Sequence, residues 1–314
     1  MHPHFLQSAA WQAFQEARGR TVYYRTGDGW SYRAILEPGT TLSPTRLYCP
    51  YGPTATSPHA LETALASLVA LAQSCNATFV RVEPLGTQFS PTTLQLRKVQ
   101  YSQPAHTWQI DLTQSQDDII AAMKQNNRSI YRNYHKKGLS YRHSTNPTEC
   151  HHLLDLLHEV AAHNNITVHS DNYLQAQANT LLPAGHGRLH FIEYEGRVIA
   201  AALTYESDTT CYYAHAGASH EYRKLAASTA LLAEIIIDAK QRGKTICDLY
   251  GITTSSDPQH RWAGFTRFKK SFGGYKVTLS DTYDLPVKPL AYRLYSLAKK
   301  LRSLPRALRT RLAR

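Results

Sequence analysis

The sequence lacks any apolar run near the roughly 18 to 20 residues that a membrane-spanning helix requires. Its first residues, MHPHFLQSAAW, have neither the basic n-region nor the apolar h-region of a secretory leader. These absences point to a cytoplasmic protein. Cysteine is scarce: Cys49, Cys75, Cys150, Cys211 and Cys247 are odd in number and form no CxxC pair, which argues against a disulfide framework or zinc knuckle and for reduced thiols at core positions. Histidine is plentiful, at sixteen residues, but no HExxH occurs. His158 and His163 are five apart and so rotated by about 140° on a helix, off the shared face that zincin ligands need. No GxSxG elbow and no cysteine-nucleophile signature is present. Residues 217–228, GASHEYRKLAAS, contain no glycine after Gly217, so the usual backbone cradle for a CoA pyrophosphate is missing. Metal-dependent chemistry, triad chemistry and ordinary acetyl-CoA transfer are all disfavoured. Finally, acidic residues are absent from 288–314, which hold nine Lys or Arg; the remainder carries 26 basic against 23 acidic residues, so the net charge of +12 resides mainly in the tail.

What is present fits a folded chain of two units. At 314 residues the length is roughly twice that of a typical domain, and 42 % apolar against 18 % charged residues suits a buried core. Residues 5–18 read as a helix, and TVYYRTGDGWSYRAILEP reads as a hairpin turning at Gly-Asp-Gly. Apolar residues at 61, 65, 68, 69 and 72 give 58–74 a helical face, and ATFVRVEP follows as a short buried strand. The clearest helix spans 115–137, with Asp117 and Asp118 in its first turn, Lys136 and Lys137 in its last, and Gly138 as its cap. A strand over 139–143 and a helix from Asn146-Pro147-Thr148 to 164 come next.

LHFIEYEG, RVIAAALTYES and TTCYYAHAG then form an antiparallel meander. A helix over 224–242, the strand TICDLYGI, a short helix through FTRFKKSF, and YKVTLSDTYDL as a closing strand or hairpin complete the series. This order is that of an acetyltransferase-like (GNAT) α/β (α+β) domain, and the first half repeats it loosely. The expected organisation is two tandem GNAT-like domains, 1–145 and 146–288, followed over 289–314 by a C-terminal basic amphipathic helix with Leu290, Leu294, Leu297, Leu301, Leu304, Leu308 and Leu312 at helical spacing. Pro305 is expected to kink or end its first stretch. The helix is expected to dock on the first domain up to about Leu301, with membrane or RNA contact beyond it.

Several segments together resemble the Fem (FemABX) family of peptidoglycan-bridge aminoacyltransferases. They are Phe5-Leu6-Gln7-Ser8 with Trp11, Tyr51-Gly52-Pro53, Val80-Arg81-Val82-Glu83-Pro84, and the basic helix end Asn133-Tyr134-His135-Lys136-Lys137-Gly138. Most specific is Asp248-Leu249-Tyr250-Gly251 followed by Gly264-Phe265-Thr266-Arg267-Phe268-Lys269-Lys270-Ser271-Phe272-Gly273, which is similar to the family's D-x-x-G and G-x-x-x-FK-x-x-FG signatures in order and spacing. The long coiled-coil arm of some members is absent.

The resemblance implies two tandem GNAT-like domains with a substrate channel between them. It also implies attack by an amine on the ester carbonyl of aminoacyl-tRNA, the donor being glycyl-, alanyl- or seryl-tRNA. The acceptor would be the stem peptide of a peptidoglycan precursor, lipid II or UDP-MurNAc-pentapeptide; separately, the basic amphipathic C-terminal helix suits peripheral contact with an anionic inner membrane face. No metal or nucleotide cofactor is required. A fixed cation near the oxyanion would stabilise the transition state more than the ground state, and Lys269 is the candidate. Phe265, Phe268 and Phe272, at helical spacing, are expected as core anchors that position it. Glu83 falls where related enzymes carry an aspartate that could accept the amine's proton. Within the motifs, Tyr250 and Arg267 are substrate-binding candidates, and Asp248 either orients a substrate amine or caps the next turn.

In the segment Asn165-Ile166-Thr167-Val168-His169-Ser170-Asp171-Asn172-Tyr173, Tyr173 matches a family tyrosine and His169 replaces an arginine; His215 would replace a channel tyrosine. After Trp11, Gln12-Ala13-Phe14-Gln15 stands where a diphosphate-binding lysine is found. Losing two cations favours a lipid-linked precursor. Lys124, Arg128, Arg132 and Lys136 form a basic stripe, read either as a solvated helix face or as contacts to tRNA phosphates.

Overall fold

The computed structural model describes residues 3–86, 96–164 and 167–303. The chain forms two compact units, one of residues up to 103 together with those from 280 onward, the other of residues 104–279.

In the first unit the Thr21–Gly27 and Trp30–Glu37 strands pair as the expected hairpin. The sheet continues through Arg46–Cys49, Phe79–Val82, Thr282–Pro286 and Arg97–Val99, with Thr54–Ala55 paired to Trp30–Glu37. Arg46–Cys49 and Phe79–Val82 are parallel, so the chain must cross over between them, and the helix Pro58–Ser74 does so. Ser57 caps that helix by accepting from the Ala60 N–H, and proline sits at its first turn, where no N–H is needed. Its buried face, Leu61, Leu65, Leu68 and Ala72 among it, packs on Ala34, Leu47, Val80 and Val82.

The second unit has a sheet in the order Tyr275–Thr278, His106–Asp111, Ile246–Gly251, Thr210–Ala218, Arg197–Glu206, Gly187–Tyr194, Leu139–Ser144. The meander is antiparallel as expected. The helix Ala227–Gln241 buries Leu231, Leu232, Ile235 and Ile236 in this unit's core. Thr210–Ala218 and Ile246–Gly251 pair in parallel from Thr210↔Ile246 to Tyr212↔Asp248. On the other side of Ile246–Gly251 the register against His106–Asp111 shifts between Asp248 and Gly251. Both irregularities fall at the same place, the start of the Asp248-Leu249-Tyr250-Gly251 motif.

The expected boundary at 145 is corrected. His106–Asp111 lies between two strands of the second sheet, and Leu139–Ser144 pairs with Gly187–Tyr194, so both belong to the second unit. The expected closing hairpin is likewise two strands of separate sheets: Tyr275–Thr278 pairs with His106–Asp111, whereas Thr282–Pro286 returns to the first unit between Phe79–Val82 and Arg97–Val99. A buried pair fixes that return, with Arg81 Nε and Nη2 donating to the two Asp284 oxygens at 2.8 and 2.9 Å.

The expected helix over 115–137 is three pieces, Gln116–Ala122, Gln125–Asn133 and a 3-10 turn Tyr134–Lys137 closed by Gly138 at φ 78°. The break comes where Met123 is buried and the Lys124 N–H donates to the Ser271 carbonyl at 2.8 Å. Tertiary contacts thus override helix propensity here, and the basic stripe is not one continuous helical face. Arg128 is turned back onto the Ala121 and Met123 carbonyls.

The helix Pro289–Ser303 docks in the first unit through its tyrosine face, not through its leucines. Tyr292 and Tyr295 pack on Phe79 with ring centroids 5.3 and 5.4 Å away, and the Tyr292 hydroxyl donates to Asp284 at 3.0 Å. Leu290, Leu294 and Leu297 are 75, 70 and 59 % exposed. Pro305, Leu304, Leu308 and Leu312 lie outside the described residues. Among the described residues no helix is long and apolar enough to cross a membrane. All five cysteines are free; four are buried and Cys75 is half-buried.

Candidate active site

The site forms in the second unit where the strand Ile246–Gly251 meets the helix Ala263–Lys270. Asp248, buried, accepts from the Gln109 side chain at 2.9 Å, from the Tyr250 N–H at 2.7 Å and from the Thr107 hydroxyl. Of its two expected roles, the turn-capping one is the one seen. The carboxylate holds Tyr250 in the left-handed region at φ 65°, a conformation that costs a non-glycine residue energy unless its surroundings enforce it. Burial raises the Asp248 pKa, opposed by these hydrogen bonds and by the nearby Lys269 charge.

The same turn presents the Gly251 carbonyl to Lys269, whose Nζ donates to it at 2.7 Å. A side chain at 251 would run into Pro104, with its Cβ 2.5 Å from the proline Cγ, which explains the glycine. Lys269 is therefore not the solvated cation its basic neighbours suggest. It is half-buried, and burial lowers its pKa from 10.5 to about 8, with Asp248 pulling the other way. Arg267 and Lys270 are exposed, and Lys270 Nζ lies 5.3 Å from the centre of the Trp108 ring.

The phenylalanines divide. Phe272 is fully buried and Phe268 packs edge-on against it at 5.2 Å, so both anchor the helix, but Phe265 is 55 % exposed and anchors nothing. The helix ends at Lys270, so Phe272 lies beyond it and the three rings do not form one helical face. Gly273 and Gly274 follow with φ of 81° and 87°, turning the chain sharply into Tyr275–Thr278.

His169, Tyr173, His215 and Tyr250 form one cluster. His169 stacks on Tyr173 at 4.6 Å and meets His215 edge-on at 5.4 Å. Tyr205, not anticipated from the sequence, links them. Its hydroxyl lies 2.9 Å from His215 Nε2 and 3.1 Å from Gln177 Oε1, and its ring is 6.4 Å from that of Tyr250. Burial, aided by His169, lowers the His215 pKa to about 3, so this imidazole is neutral at physiological pH. Asn165 and Ile166 of the same segment lie outside the described residues. Arg197–Glu206 is buried at nearly every position and does not alternate, so its sequence did not single out Tyr205.

Glu83 lies in the first unit and is wholly enclosed. It accepts from the Thr282 hydroxyl at 2.8 Å, the Gln103 N–H at 2.9 Å, the Tyr51 N–H at 3.1 Å and the Tyr48 hydroxyl at 3.2 Å. As placed here, Glu83 offers no exposed oxygen to a substrate amine. With no exposed surface and its oxygens engaged by four donors, this carboxylate joins the Tyr51 turn, residue 103 and the strand Thr282–Pro286. Near Trp11, the neutral Gln12 is not without a cation, since Arg33 Nε donates to its Oε1 at 3.0 Å. A separate cavity of about 300 Å³ opens beside residues 218–228, lined by Glu159, His163, His220 and Arg223 and by none of the candidate site residues. Among the described residues no cluster of three or more His, Cys, Asp or Glu is gathered for a metal.

The comparison with known families bears on this geometry directly, because the match covers the meander, the Asp248 turn and Lys269. Residues 189–300 match the model of the FemAB family. The fold agrees with that of FemX over 93 % of this chain and 94 % of the other, with a TM-score of 0.82 at 16 % identity. It is also similar to the C-terminal domain of a putative lysylphosphatidylglycerol synthetase from Agrobacterium fabrum (TM-score 0.57, 13 % identity, 94 and 92 % covered). L-PGS from Bacillus licheniformis is another (TM-score 0.56, 12 % identity, 92 and 95 % covered). No curated protein matches the sequence. The fold is thus the expected mixed α/β arrangement of tandem GNAT-like units, with no coiled-coil arm among the described residues. Within the FemAB region, Asp248, Tyr250, Gly251 and Lys269 form one connected unit through Tyr250 and the Gly251 carbonyl.

Proposed function

We propose that this protein transfers an aminoacyl group from aminoacyl-tRNA to an amine on the stem peptide of a peptidoglycan precursor, building the interpeptide bridge. The observation that carries the reading is Lys269, half-buried and held on the Gly251 carbonyl within the FemAB region. The acceptor nitrogen attacks the ester carbonyl, the carbon–oxygen bond to the ribose breaks, and the proton lost by the amine ends on the ribose hydroxyl. Charge develops first on the carbonyl oxygen and then on the leaving oxygen. A lysine that cannot retreat into water stabilises both without reorganising. The neutral His215 and the rings of Tyr173, Tyr205 and Tyr250 would line the bound peptide.

The sequence replacements of cations, by His169 in the second unit and by Gln12 in the first, suit a lipid-linked acceptor, but the Arg33 side chain donates to Gln12, so the nucleotide-linked precursor stays under test. A second reading, aminoacyl transfer to a lipid headgroup, is motivated by the fold shared with the domain of the putative lysylphosphatidylglycerol synthetase. One assay separates these. Radiolabelled amino acid from a total aminoacyl-tRNA pool is offered lipid II, UDP-MurNAc-pentapeptide and phosphatidylglycerol vesicles, with wild type and Lys269→Ala compared. Label on a peptidoglycan precursor that disappears with Lys269→Ala supports the proposal; label only on phosphatidylglycerol selects the second reading. Binding of tRNA with no label on any acceptor leaves an inactive binding module and overturns both.

A further inference from the structure

The helix Pro289–Ser303 presents an apolar ridge outward. Leu290, Leu294 and Leu297 fall at i, i+4 and i+7 and lie within an arc of about 60°. The docked face, Tyr292 and Tyr295 against Phe79, is on the opposite side. An exposed leucine by itself is ordinary, but three in one stripe at 75, 70 and 59 % exposure are not. Arg293 and Lys300, both exposed, flank the ridge on one shoulder, and residues 288–314 contain nine basic residues and no acid.

We propose that this helix face docks the protein on an anionic lipid bilayer, with the leucines entering the acyl boundary and Arg293 and Lys300 meeting the headgroups. The arrangement separates three occupants. An RNA would be met by cations at the apex of the face, whereas here the apex is leucine and the cations sit beside it. A second copy of the chain packed through the same face would bring two strongly basic, acid-free segments together, and like charges repel. A bilayer with anionic headgroups satisfies both the apolar ridge and its basic flank, because a leucine ridge inserts only as deep as the headgroup boundary while long basic side chains reach the phosphates. Each cation near such a surface strengthens adsorption about fivefold. The proposal goes beyond the transfer reaction and does not depend on it.

The test uses the full chain without tRNA. It is sedimented with vesicles of phosphatidylcholine alone and with vesicles containing about 30 % phosphatidylglycerol, a fraction sufficient to set up an anionic surface potential. Wild type should bind the anionic vesicles at least about tenfold more tightly than the neutral ones, and Leu294→Glu/Leu297→Glu should lose about tenfold or more on the anionic vesicles. Because both side chains are exposed, the double variant should melt as wild type does, and a Leu294→Gln/Leu297→Gln variant keeps the test valid if charge itself perturbs the helix. Equal binding by the leucine variants, or no preference for anionic vesicles, overturns the proposal. So does a wild-type dimer that the variants convert to monomer, which would make a second copy the occupant, or tRNA binding that the leucine changes abolish.

Discussion

Replacing Lys269 by methionine separates three roles for that side chain. The lowering of its pKa from 10.5 to about 8 corresponds to roughly 3 kcal/mol by which the folded protein disfavours the charged form. Methionine of similar length removes that cost and forfeits the hydrogen bond to the Gly251 carbonyl, worth about 1.5 to 3 kcal/mol when the donor is charged. The net change in stability is therefore small, within about 1 to 2 kcal/mol of zero. Transfer, by contrast, should fall by a factor on the order of 10² to 10³, as expected when one group stabilising an oxyanion is removed. A thermal melt and a single-turnover transfer assay on the same preparation give both numbers. Wild-type transfer should also decline as pH rises through about 8, where Lys269 loses its proton, and Lys269→Arg should lack that decline because arginine stays charged. Linkage has the complementary sign. Between about pH 8 and about 10.5 the unfolded chain keeps a proton that the folded one has lost, so this residue makes folding more favourable as pH rises across that window. Transfer by Lys269→Met within a few-fold of wild type would refute the assignment of Lys269 to the transition state. A melt lowered by many degrees would instead make it a structural lysine.

Glu83→Ala should lower stability by roughly 3 to 5 kcal/mol, since four buried donors lose their acceptor, and lost transfer should track the melt rather than the chemistry. A folded, inactive Glu83→Gln with normal substrate binding would restore its role as a base. Gly274→Ala should destabilise the second unit by about 3 kcal/mol or more, because its φ is 87° and a Cβ would collide with the Gln109 carbonyl; a melt within a degree of wild type would contradict this. Tyr205→Phe should raise KM for the acceptor with less effect on kcat, because it frees His215 and Gln177 from one orienting hydroxyl; an unchanged KM removes that ring cluster from acceptor binding.

Local patterns that rest on nearest neighbours read correctly from the sequence. The hairpin at Gly27–Trp30, the crossover helix with Ser57 and Pro58 at its start, the Gly138 cap and the meander all depend on turn residues and periodicity within a few positions. The Asp248-to-Gly251 and Gly264-to-Gly273 segments were legible as motifs from residue type and spacing, but the hydrogen bond that joins them, Lys269 to the Gly251 carbonyl, was not. Features set by distant partners did not read. Glu83 looks like a free carboxylate in sequence, yet the donors it accepts from lie 20, 32 and 199 residues away. The strand Thr282–Pro286 carries no mark that it returns to the first sheet; the buried Arg81–Asp284 pair decides that. The leucine spacing in the C-terminal helix predicted an amphipathic helix but not which face would dock, and two tyrosines with a phenylalanine and an acid to meet took the inner side. Sequence alone determined that this chain has helices and strands of given type and that Lys269 stands in a segment similar to a Fem family motif. Only the tertiary structure decided which side chains are enclosed and which face water, because burial is a property of partners brought together across the whole chain.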